Sequence, residues 1–294
     1  MQLYAPAYYK RFACTADKCD HSCCIGWEID VDSDALEKYQ KLQGGYGEAV
    51  ALSISTDGTP HFKLSGHDRC PHLDDRGLCK IILNLGEDYL CRICREHPRF
   101  YNFTDVAEVG LGMSCREAAK IILSATDYAV MEQVGQVDAA PDEIDFDGRG
   151  ARSRIYEVLR SAEDDYASKL SRIYCEYGID VGEDGRWLEI LSSLEYLDED
   201  HRGLFMNYSA SRRPAGCDEY HERFLAYLIY RHCTEAYDEE DLRERLAFCL
   251  FCERLFASLL CAERAASPED AAVPASIISE EIEYSDDNTC ALME

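Results

Sequence analysis

The chain has 294 residues, 47% of them hydrophobic, and 57 acids against 30 bases give it a net charge of −27. That length fits one large domain or two of ordinary size, and the charge excludes nucleic acid as the main partner, because phosphate binding needs a basic footprint. No apolar run is long enough to span a membrane, and the start, MQLYAPAYYKRFAC, reads as no secretory signal, having neither an apolar core nor a small-residue cleavage site.

Nine of the 16 cysteines fall in the first 115 residues: Cys14, Cys19, Cys23, Cys24, Cys70, Cys79, Cys91, Cys94 and Cys115. Their spacings include C-x4-C-x3-C-C, C-x8-C and C-x2-C, as metal ligands are spaced. Thiolates are soft ligands that suit zinc or iron–sulfur iron. In a reducing compartment, clustered thiols more often bind metal or act in catalysis than form bridges. A disulfide framework is the competing reading, and it requires export.

Little helical period is present in the first 33 residues. Ser33 is the expected N-cap of a helix over 34–42, stopping at Gly44-Gly45. Residues 49–64 alternate and contain Asp57-Gly58, which predicts a small β-ribbon. Residues 70–98 read as a loop, a short helix, a turn at Gly86 and a second helix ended by Pro98. From Asp68 to Arg99 six bases (Arg69, Arg76, Lys80, Arg92, Arg95, Arg99) balance six acids, so this segment is neutral within a strongly acidic chain. Its guanidinium groups either stabilise an anionic thiolate-bound centre or form ordinary surface salt bridges.

Ser114 is the expected cap of a helix from 115 to about 134. Residues 135–150 are acidic, contain Pro and Gly, and read as a linker or long surface loop. Helical patterns follow over 151–176, 186–197, 217–236 and 242–264, then a Pro/Ala loop over 265–275 and a polar tail. Cys249 and Cys252, in AFCLFCERLF, are expected to be buried as small hydrophobes. The expected fold is mainly α with a small β-ribbon. A cysteine-rich metal-cluster half over 1–134 leads through the linker into a helical domain over 151–294.

Taken together, YYKRFACTADKCDHSCCIGWEID, CPHLDDRGLC, LCKIILNLGEDYLCRICREHPRFYNF and EVGLGMSCREAA resemble the flagellin lysine-N-methylase family. The cysteine stretches also resemble a zinc- or iron-chelating cysteine domain found in many bacterial proteins. ERFLAYLIYRH and IISEEIEYSDDN in the back half extend the first resemblance over nearly the whole chain. It implies a bacterial cytoplasmic enzyme that methylates lysine ε-amines of flagellin, or of another lysine-bearing protein. It further implies S-adenosylmethionine as donor and a [4Fe-4S] cluster as cofactor. Carried over, the implied ligands are Cys19, Cys23, Cys24, Cys70, Cys79, Cys91, Cys94 and Cys115, with Cys14 a further candidate. A four-iron cluster takes at most four cysteines, so nine candidates mean two centres or one centre with spare thiols. Zinc is the alternative metal, in a non-catalytic module that stores, delivers or senses it.

Val109-Gly110-Leu111-Gly112-Met113 is the candidate Gly-rich donor loop, and without a βαβ context a turn before the next helix is the better reading. The radical-enzyme pattern is absent, since Gly26 stands where its third cysteine belongs. The route that remains is an open iron for the donor's amino-carboxylate, with Arg92, Arg95 or Arg99 as the bidentate partner of the carboxylate. Methyl transfer needs a neutral lysine amine. His97, in HPRF, is the candidate base, and orienting a ligand is its alternative role. Tyr8, Tyr9 and Tyr101 either cage a cationic methyl group or pack in the core.

Overall fold

The computed structural model describes residues 1–141, 145–263 and 267–293. They form two compact units. One is Ala13–Pro98, the cysteine-rich unit; the other, the helical unit, joins Met1–Phe12 to the chain from Arg99 onward. The boundaries therefore differ from the division at 134 and 151 read from the sequence. The N-terminal strand and residues 99–136 belong with the helices, because they build a sheet against which those helices pack.

In chain order, β1 (Gln2–Pro6) opens the helical unit. The cysteine-rich unit follows with α1 (Ser33–Gln40), α2 (Gly45–Leu52), β2 (Ile54–Ser55), β3 (His61–Phe62), α3 (Lys80–Leu85) and α4 (Arg92–Glu96). Asp32, one residue before the expected Ser33, caps α1: its Oδ1 accepts from the Ala35 N–H at 3.1 Å. β2 and β3 pair antiparallel, Ile54 with Phe62 and Ser55 with His61, which is the expected ribbon. Tyr39, Val50, Phe62, Leu73 and Ile81 form the small core of this unit together with Cys70 and Cys91.

The chain then returns to the helical unit with β4 (Arg99–Phe103), β5 (Ala107–Leu111), α5 (Arg116–Ser124), β6 (Met131–Gln136), α6 (Gly148–Leu159), α7 (Tyr166–Tyr177), α8 (Asp184–Ser193) and α9 (Glu199–Phe205). It closes with α10 (Asp218–His232), α11 (Glu239–Glu263), α12 (Pro268–Ile278), a π-turn over Ser279–Glu283 and α13 (Asp286–Met293). The strand order of its sheet is β4-β5-β1-β6. β1 runs parallel to β5 (Leu3 beside Ala107) and antiparallel to β6, while β4 and β5 form a hairpin (Arg99 opposite Leu111).

Three expectations are corrected here. The helix expected over 115–134 ends at Ser124, and its second half is β6. The expected loop over 265–275 is mostly α12, started by a Ser267–Asp270 capping box with Pro268 in the first turn. The expected linker over 135–150 contains the end of β6 and the start of α6, and its residues 142–144 lie outside the described residues. The chain is mainly α as expected, but it carries the four-stranded sheet as well.

α11 is buried nearly all round between Phe248 and Phe256, as the central helix of a large core is. Trp187 stacks on its Phe251 at 3.8 Å between ring centroids, and Phe224 of α10 stacks on its Phe256 at 4.3 Å. Gly110 sits buried inside β5, where an added Cβ would collide with the rings of Phe100 and Tyr230. Gly110 thus serves close packing, while Gly112–Cys115 makes the expected turn before α5, the Cys115 N–H donating to the Gly112 carbonyl at 3.4 Å. No helix among the described residues is long and apolar enough to cross a membrane.

Candidate metal centre

Short backbone links draw distant cysteines of the cysteine-rich unit together. The Cys70 N–H donates to the Cys24 carbonyl at 2.8 Å, and the Gly26 N–H donates to that of Asp68 at 3.0 Å. The loop between Cys70 and Cys79 closes on Asp74, whose Oδ1 accepts from the N–H groups of Arg76 and Leu78, both at 2.8 Å. Gly77 takes the positive φ of 79° that this turn requires. Cys79 and Cys91 are the N-caps of α3 and α4. Asp32 ties the start of α1 to that of α4, since its second oxygen accepts from the Arg92 N–H at 2.6 Å. Burial alone would raise the Asp32 pKa, but these two N–H groups outweigh it and the net shift is downward.

Five thiols share one neighbourhood. Cys70 and Cys91 are buried, and Cys24, Cys79 and Cys94 pack half-buried against the same core. Each of the five interacts electrostatically with others of the group. Burial pushes the Cys70 thiol up to about 11 and raises that of Cys79. Cys94 is raised by its hydrogen bond with Cys91, and Cys91 is lowered by the same bond. Cys24 is raised by its hydrogen bond with Cys23 and by burial, against which the Arg69 charge works.

Backbone N–H groups point at three of the sulfurs: His72 at Cys70, Ile82 and Ile81 at Cys79, and Cys94 at Cys91. Such N–H···S bonds stabilise metal-bound thiolates and tune iron–sulfur potentials. The donor set is therefore chemically suited to zinc or an iron–sulfur cluster: clustered thiols with N–H groups on their sulfurs. Among the described residues no group of three or more His, Cys, Asp or Glu side chains is arranged to hold a metal ion. The thiols are gathered in one core without forming a closed ligand shell.

The other candidates fall elsewhere. Cys14 and Cys23 are exposed, and the Cys19 thiol donates to the His21 carbonyl at 2.8 Å. Cys115 belongs to the helical unit as the N-cap of α5. His97 ends α4, its N–H donating to the Ile93 carbonyl at 3.0 Å. Arg92 and Arg95 are exposed on α4, and Arg95 pairs with Glu96 at 3.4 Å. Arg99 lies on β4 of the helical unit, donates from Nε to the Tyr9 hydroxyl at 2.8 Å, and sits over the Tyr9 and Phe12 rings. Tyr8 is a buried core residue, and Tyr101 stacks beside Phe103.

Two features escaped sequence reasoning. His72, between the ligand-spaced Cys70 and Cys79, is buried with both ring nitrogens bonded to hydroxyls; its position inside the motif was the available signal. The helical unit also buries ion pairs. Glu108 holds Arg152 through two contacts of 2.6 and 2.8 Å, and Glu253 holds Arg213 through two of 2.8 Å. Glu283 accepts from the Tyr227 hydroxyl at 2.8 Å and pairs with His232 Nε2 at 2.7 Å, with Arg231 Nε at 3.4 Å. No local pattern announces these pairs, whose partners lie tens of residues apart.

The chain is 27% identical over 136 residues to a lysine-N-methylase of Salmonella typhimurium, covering 44% of this chain and 34% of that protein. It is 28% identical over 130 residues to the flagellar biosynthetic protein FliU of Salmonella muenchen, covering 42% and 77% respectively. A lysine-N-methylase of Salmonella choleraesuis matches at 26% over 136 residues. The chain thus spans about a third of the length of the lysine-N-methylases it matches. No family model matches it, and no solved structure does. Over the 42–44% of the chain that they cover, the matches bear out the resemblance carried by the sequence: the chain is similar to proteins named lysine-N-methylase and to one named as a flagellar biosynthetic protein.

Proposed function

We propose that the chain is a protein-lysine N-methyltransferase that acts on flagellin, uses S-adenosylmethionine, and holds a [4Fe-4S] cluster in its cysteine-rich unit. The observation that carries this reading is the likeness to proteins named lysine-N-methylase and, separately, to one named as a flagellar biosynthetic protein. The gathered thiols support its cofactor. Cys24, Cys70, Cys79, Cys91 and Cys94 are the residues from which up to four cluster ligands would be drawn. When bound, such a cluster supplies a Lewis-acidic iron for the polar groups of a donor molecule.

The chain's own residues supply the rest. Arg92 and Arg95, exposed on α4, are our candidates for the donor's carboxylate, which a guanidinium takes bidentately. The substrate lysine attacks only as the neutral amine, so a proton must leave its Nζ, and His97 is the residue we assign to accept it. The nitrogen lone pair then bonds to the methyl carbon as the carbon–sulfur bond breaks, leaving a neutral thioether. The net charge of −27 favours encounter with a lysine-rich surface.

The test is methylation by anaerobically reconstituted protein given S-adenosylmethionine and flagellin, read by mass spectrometry of the flagellin lysines. Methyl increments are expected with the parent and none with Cys70→Ser. Iron and sulfide should be found in comparable amounts. Stoichiometric zinc with no sulfide, together with no methylation, would favour the metal-binding module instead.

A further inference from the structure

We infer that His72 is a positioning residue for Cys70 and Cys79: its backbone spans both, and its imidazole ties their loop to the α2–β2 segment. The role in metal binding rests on the function proposed above, whereas the placement of the two thiols does not. His72 is 3% exposed. Its N–H points at the Cys70 sulfur. Its carbonyl accepts at 2.7 Å from the N–H of Lys80, the residue after Cys79. One residue thus links the two ends of CPHLDDRGLC.

The ring is what holds that residue in place. Its Nε2 lies 2.8 Å from Ser53 Oγ and its Nδ1 2.7 Å from the Tyr46 hydroxyl. Ser53 Oγ spends its only proton on the Val50 carbonyl at 2.7 Å, so toward His72 it can only accept. Nε2 therefore carries the hydrogen, Nδ1 is bare, and Tyr46 donates to it; the network assigns the tautomer. Tyr46 belongs to α2 and Ser53 is its C-cap, so both anchors come from one element. Phe62 packs edge-on to the imidazole at 4.8 Å between centroids and Tyr46 at 5.7 Å, which leaves the ring one seat. A neutral imidazole here supplies one donor and one acceptor without placing a charge beside the thiols.

Outer residues that orient metal-binding side chains typically change metal affinity by about 10–100-fold when lost. The test uses the full-length protein in two states. In the reduced, metal-free state, iodoacetamide labelling is followed by peptide mass mapping at Cys70, Cys79 and Cys91. His72→Phe fills the seat but breaks both hydrogen bonds, and it should label Cys70 and Cys79 about tenfold faster with Cys91 unchanged. His72→Gln, which keeps a donor and an acceptor, should stay near the parent. Equal acceleration at all three thiols, or none at Cys70 and Cys79, overturns the inference, as does a Gln variant as fast as the Phe variant. If His72→Phe is insoluble, Tyr46→Phe, which removes only the donor to Nδ1, decides by the same rates. In the iron-loaded state, His72→Phe should lose iron to a chelator about 10–100-fold more readily than the parent, and equal retention overturns the role in metal binding. A parent without iron, combined with the expected labelling rates, would remove the cluster from the proposed function and leave the positioning of the two thiols standing.

Discussion

Glu283 shows how far a buried charge depends on its neighbours. Burial alone would raise its pKa, yet the Arg231 charge and the His232 hydrogen bond hold it at about 2, below the ordinary 4.5. A carboxylate with a depressed folded pKa adds stability above its unfolded pKa, and that stability is lost as pH falls toward the folded value. The loss here spans pH 4.5 down to about 2 and is of order 3 kcal/mol. Glu283→Gln leaves Arg231 and His232 without their carboxylate, so we expect a variant less stable at neutral pH by about 3–5 kcal/mol. Its stability should also fall less steeply than the parent's between about pH 5 and about pH 3. Denaturant unfolding at several pH values checks both, and parallel pH profiles would contradict the assignment.

At the scale of elements, α12 exists against a weak local signal. Pro274 lies inside it, and an interior proline removes a backbone donor and disfavours a helix. The element persists because its start is well capped and because Ala271, Ala272, Ala275 and Ile278 are buried in the helical core. Ser267 and Asp270 each accept from the other's backbone N–H, at 3.2 and 3.1 Å. Ser267→Ala should therefore cost about 1 kcal/mol, seen as a lower denaturant midpoint with an unchanged slope. A full-size effect requires that α12 unfolds with the rest of its unit; no effect would show that it frays independently. The π-turn after α12 carries Glu281, which accepts from the N–H groups of Leu197 and Asp198 at 2.7 and 3.2 Å and so braces the segment entering α9.

At the scale of the whole molecule the two units have unequal means of support. The helical unit has an extensive core centred on α10 and α11, whereas that of the cysteine-rich unit is small and counts Cys70 and Cys91 among its members. Small cores commonly need a metal or covalent staple. Metal binding to such a unit contributes directly to its folding. With the cluster proposed above in place, its removal under reducing conditions should increase amide hydrogen exchange across 13–98 and leave α10 and α11 protected. Unchanged exchange in 13–98 would mean that the unit stands without metal. Increased exchange in α10 and α11 as well would mean that the helical unit also depends on the metal.

By itself the sequence determined the helices with clear caps and period, among them α1, α10 and α11, and the short helices divided at Gly86. These rest on local forces: capping groups, a left-handed glycine, and apolar residues repeating along one face. It also marked the thiols, because spacing of soft donors is a local property. The tertiary structure decided which of them meet. Five come together through links such as Cys70 to Cys24, while Cys115 lies in the other unit, and linear spacing cannot separate those cases. The sheet was likewise beyond local reading. β5 is buried at every position and shows no alternation, and β1 finds its partners about a hundred residues along the chain. His72 and Glu283 acquire their roles only when Tyr46, Ser53, Tyr227 and His232 are folded around them, since a hydrogen bond across a core is specified by the packing of both partners.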